Sequence, residues 1–84
     1  MSDAPEVAAY VAQLEAMLRP VAERAGPEHA TRTLIQLLQM AAWQHDQSET
    51  YSRAEGRADE ARAWALAARA IRARVIELRR VSAS

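Results

Sequence analysis

Apolar residues recur along the chain at alternating steps of three and four, the spacing that gathers them on one side of an α-helix. Val7, Val11, Leu14, Leu18, Val21 and Ala25 form one stripe, and Leu34, Leu38 and Ala41 form a second. A third runs Ala61, Trp64, Ala68, Ile71, Val75 and Leu78. No stretch alternates with the period of two that a strand requires. The breaks are equally plain. Asp3-Ala-Pro-Glu6 has the spacing of a capped helix start. Gly26-Pro27 pairs a left-handed cap with a helix opener, and Gly56 marks the next stop. The pattern predicts an all-α single domain over residues 1–84. Its three helices should span about 4–25, about 27–55 and about 57–81, with the Val81-Ser-Ala-Ser tail fraying.

Pro20 removes a backbone donor inside the first helix. Because the stripe continues in register through Val21 and Ala25, a kink near Ala16 is expected instead of two separate helices. Helices two and three should form a long antiparallel hairpin about Gly56, with the first packed along its base. In that hairpin, residues whose numbers sum to about 112 lie opposite each other. Leu34 then faces Leu78, Leu38 faces Val75, Ala41 faces Ile71, His45 faces Ala68 and Ser48 faces Trp64.

The second stripe turns polar halfway, at His45, Ser48 and Ser52. The hairpin register offers a reason. Ser48 leaves room for Trp64, whose indole N–H could reach Ser48 or Gln44. The first helix should cover the second only to about His45, so the hairpin tip can carry polar groups without chemistry. A competing reading ends the second helix near Asp46–Ser48 and restarts it on a Ser48 or Thr50 cap. The stretch Tyr51 to Ala68, with Gly56 followed by Asp59-Glu60-Ala61, resembles the turn of a tetratricopeptide helix pair. The likeness covers under a quarter of the chain, lacks the repeat period, and implies a helical hairpin and nothing more.

Composition changes this picture in two ways. Half of the 84 residues are hydrophobic, but twenty are Ala and none is Phe, so each core position buries little area. A core this small favours a homodimer, or a larger self-assembly, that doubles the bundle. There is no Cys and no Lys, and all eleven basic residues are Arg. With the Ala excess, that is the usage of a GC-rich bacterial genome, so a single Arg is not read as a recognition residue. Charge balances overall but splits along the chain, with acids in excess to residue 50 and Arg in excess after it. Such a split invites pairing within or between chains. The opening MSDAPEV lacks a secretory pattern and no run is long enough to span a bilayer, so a cytoplasmic protein without membrane contact is expected.

Trp43 falls nearly opposite the Leu34/Leu38/Ala41 stripe at about 100° per residue, beside Met40 and Gln47 and above Gln36. An off-stripe Trp–Met pair in a Gln frame suits the centre of a protein interface. Trp43, Met40, Gln36, Gln47 and Tyr51 are therefore the expected contact residues, for self-association and for another protein. The main expectation is a non-enzymatic interaction module: an adaptor, chaperone-like or regulatory subunit. Two weaker patterns remain. Arg62, Arg69, Arg72, Arg79 and Arg80 share one flank of the third helix and could follow nucleic-acid phosphates, or pair with Glu6, Glu15 and Glu23. His45 and Glu49, four apart, could give two ligands to a metal shared across a dimer. No phosphate-cradling glycine motif, nucleophile elbow or cofactor motif is present, so no cofactor and no catalytic residue are expected.

Overall fold

The computed structural model describes residues 3–83. It contains no strand among those residues and has three long helices: α1 (Asp3–Ala25), α2 (Ala30–Ala54) and α3 (Ala58–Ala83). The expected side-chain cap at Asp3 lies outside the described side chains. α1 passes through Pro20 as a single helix. Ala16 and Pro20 are both exposed, on the side away from the core, so the missing bond leaves a carbonyl facing water. α3 continues to Ala83, past the expected end at 81.

The two glycine breaks differ from each other. Pro27–His29 forms one turn of 3₁₀-helix before α2 begins at Ala30, three residues later than the sequence predicts. Gly26 has φ 172°, an extended backbone and not the left-handed cap expected of it. Gly56 does take that role, with φ 79°. Its N–H donates to the Arg53 carbonyl at 3.1 Å, and the Arg57 N–H donates to Ser52 at 2.8 Å. Together these bonds satisfy the last carbonyls of α2 in a Schellman motif. α2 is continuous through residues 46–52, so the reading that restarts it near Ser48 is excluded.

Helices α2 and α3 form the main packing surface, and α1 lies along their seam. Leu34, Leu38, Ile71, Val75 and Leu78 are all buried in one cluster, as the register about Gly56 requires. That register is direct at the tip, where the Ser52 hydroxyl donates to Glu60 at 3.0 Å. α2 is about 38 Å long at 1.5 Å per residue, which sets the 44 Å long axis of the molecule.

Two stripes shift slightly. In α2 Ala42 is fully buried while Ala41 is only partly covered, and in α1 Ala22 replaces Val21 at the core. Val21 is 43% exposed and Ala25 is also exposed. α1 also reaches farther than the base of the hairpin. Its Glu6 and Val7 come level with Glu60 and Ala63 at the start of α3.

The α1–α3 seam carries one ion-pair network. Arg74 donates to both carboxylate oxygens of Glu15, at 2.6 and 3.0 Å, and Arg19 adds a third bond at 2.9 Å. Arg74 holds the Glu15 carboxyl below its ordinary value of 4.5, against the opposing effect of burial. A depressed folded-state pKa means stability that is present above the unfolded value and is lost as pH falls through the folded one. Glu15→Gln should therefore cost about 1 kcal/mol at pH 7, because Arg74 stays partly solvated. The difference should shrink progressively as pH falls below 4.5. Urea unfolding of both chains at pH 7, 5 and 3 measures it, and curves that stay parallel would contradict the assignment.

A candidate interaction face and an aromatic cluster

The outer face of α2 carries the residues that the sequence marks as contacts. Trp43 is 60% exposed, Met40 59% and Tyr51 62%, and Gln36 and Gln47 flank them in solvent. The indole is therefore largely open to solvent. Helical geometry alone explains this, since α2 turns its opposite face to α1 and α3. Tyr51 stands slightly apart, with the Arg57 guanidinium 5.5 Å from its ring centroid. That contact ties Tyr51 to the hairpin turn and leaves Met40 and Trp43 as the open centre.

The inner face explains the polar half of α2. His45 Nε2 shares a 2.6 Å hydrogen bond with the Tyr10 hydroxyl of α1. The imidazole meets the Trp64 ring edge-on, with centroids 5.0 Å apart and an interplanar angle of 87°. The three rings thus join all three helices at one level. Trp64 does not make the expected hydrogen bond to Ser48 or Gln44 among the described residues. His45 occupies the space beside it instead. Ser52 is 2% exposed and satisfied by Glu60, so the tip is polar because its groups are paired, not because it is bathed in water.

The weaker candidates are placed as follows. Glu49 binds Arg53 of its own helix at 2.8 Å, while His45 turns to Tyr10. Among the described residues no three His, Cys, Asp or Glu side chains gather as metal ligands. Arg62, Arg69, Arg72, Arg79 and Arg80 are all exposed. Arg72 donates through both terminal nitrogens to Asp46 of α2, which lowers the Asp46 pKa and raises that of Arg72. The acids of α1 were expected to serve this flank, but Glu15 serves Arg74 and Arg19 instead. Of the flank, Arg62 lines a hollow with Glu6 and Val7 of α1, but no ion pair joins it to Glu6 among the described residues.

Sequence reasoning missed Tyr10 and the Glu15–Arg74 pair. A signal for the first was present. If α1 and α2 fold back about residues 26–29, partners sum to about 55, and Tyr10 and His45 do. No helix among the described residues is long and apolar enough to cross a membrane. Comparison with known protein families, with curated proteins and with solved structures finds no match for this chain.

Proposed function

We propose that the protein is a small non-enzymatic interaction module of the cytoplasm that self-associates through the outer face of α2. One observation carries this reading: the Trp43 indole is 60% exposed at the centre of that face, beside an equally open Met40. Leaving such side chains in water forfeits burial that a partner would recover, and Trp is enriched where interfaces draw most of their energy. The polar frame of Gln36 and Gln47 fits an interface rim. Met17, 67% exposed, is a further open apolar side chain, on α1. Its helical position places it on the same flank of α1 as Tyr10, the flank that reaches α2.

A small Ala-rich core gives further support, because pairing two copies buries area that one copy cannot. In such a homodimer, a second protein would be regulated or held by the remaining helical surfaces. Light scattering across a concentration series tests the reading. The chain should pass from monomer to dimer, and Trp43→Ala should weaken that step about 30-fold, the loss of a typical interface hot spot. Thermal unfolding of the monomer should be unchanged, because the ring contributes little to its own core. A monomeric mass at every concentration would sink the proposal, and so would a dimer indifferent to Trp43→Ala.

A further inference from the structure

An apolar cleft of about 360 Å³ opens between the first turns of α1 and α3, on the side of the molecule that Trp64 and Tyr10 line. Ala63 and Ala67 form its floor, and two carboxylates, Glu6 and Glu60, stand at its rim. From this arrangement we infer a binding site for a small organic cation: an ammonium carried on an aryl or short alkyl body.

The chemistry of the lining selects that class. Both charged side chains of the lining are acidic, with Arg57 bonding Glu60 Oε2 at 2.7 Å and Arg62 lining the adjoining hollow beside Glu6. An anion would meet the unpaired Glu6 carboxylate, and a purely apolar ligand would strip water from it without replacing it. A metal ion wants a shell of oxygen ligands, whereas most of this lining is carbon. An organic cation satisfies both halves of the site. Its charge is attracted by the carboxylates and by the faces of Trp and Tyr rings, and its body covers the alanines.

The Glu6 charge is available, because Glu6 makes no ion pair among the described residues. Glu60 is paired with Arg57 through Oε2, which also accepts from Ser52, and offers the free Oε1 as a hydrogen-bond acceptor. The walls are also set in advance. His45 bonds the Tyr10 hydroxyl and packs edge-on against Trp64, so both rings are oriented before any ligand arrives. His45 is thus a positioning residue for the cleft, which gives the polar break in the α2 stripe a purpose beyond packing. The volume lies near the lower end for ligand sites, consistent with a body about the size of one aromatic ring.

The two indole N–H signals of the full-length ¹⁵N-labelled protein, assigned with Trp43→Phe, report the site. Benzyltrimethylammonium chloride, titrated at low ionic strength, should move the Trp64 signal saturably and leave Trp43 in place. Benzyl alcohol and phenylacetate, which share the ring but not the charge, should bind at least tenfold more weakly. Glu6→Gln should weaken the cation about fivefold while the circular dichroism stays unchanged, since the exposed Glu6 makes no ion pair among the described residues. The inference fails if benzyl alcohol matches the cation. It fails equally if only the Trp43 signal moves, if no titration saturates, or if Glu6→Gln binds the cation as before.

Discussion

Leu38→Ala should cost about 2–5 kcal/mol, enough to leave much of the protein unfolded at 37 °C. Leu38 has no exposed surface and sits where all three helices meet, among Leu34, Ile71 and Val75. Removing its branched end forfeits the transfer energy of three carbons and leaves a hole that rigid helices close only in part. In a larger protein such a loss is absorbed. Here the core is assembled from a few full-sized residues among alanines, and a domain of this size holds only a few kcal/mol of net stability. Leu37→Ala, one residue back at a partly buried position packed against the edge of the core, is the matched control and should cost less. Urea denaturation followed by helical ellipticity compares the two. Equal losses would mean that the three-helix junction is not where this protein is held.

The helices and the hairpin register were legible in the sequence because both follow from local periodicity and from Gly56, whose left-handed φ any other residue would resist. Leu34 opposite Leu78 follows from counting outward from that turn. What the stripes left open was how α1 is rotated on the hairpin, although the fold-back about residues 26–29 sets Tyr10 level with His45. The α1 stripe fixes which face is buried, but not which flank leans on α2 and which on α3. That choice is made by side chains far apart in sequence, Tyr10 with His45 and Glu15 with Arg74. Likewise Val21 looked like a core residue, yet Ala22 is the one buried. A close helix approach admits the smaller side chain, and the pattern alone treats both as apolar.

The candidate surfaces divide in the same way. Trp43 was legible because an outward face needs only the geometry of one helix. The cleft beside Trp64 was not, because its lining comes from α1 and α3 together and its rim carboxylates are 54 residues apart in Glu6 and Glu60. His45 links the two views. Read alone, it is a polar interruption or half of a weak metal pair. In the fold its ring packs against an aromatic residue on each of the other two helices, Tyr10 and Trp64.

Close helix approach makes a second and less intuitive outcome: enlarging the core should also destabilise it. Ala42 is fully buried in the same cluster, one turn beyond Leu38 on α2. Ala42→Leu adds apolar carbon, and if area alone mattered it would stabilise. Its methyl group, however, already marks the distance of the neighbouring helices, and three more carbons must push them apart. A cost of about 1–3 kcal/mol is expected. The decisive measurement is the double variant. Residues 38 and 42 are neighbours on one helical face, so the side chain added at 42 can lean into the space vacated at 38. Leu38→Ala with Ala42→Leu should therefore lose at least 1 kcal/mol less than the sum of the two single losses. Strict additivity would show that the two sites do not share one packed layer, although both belong to the same buried cluster.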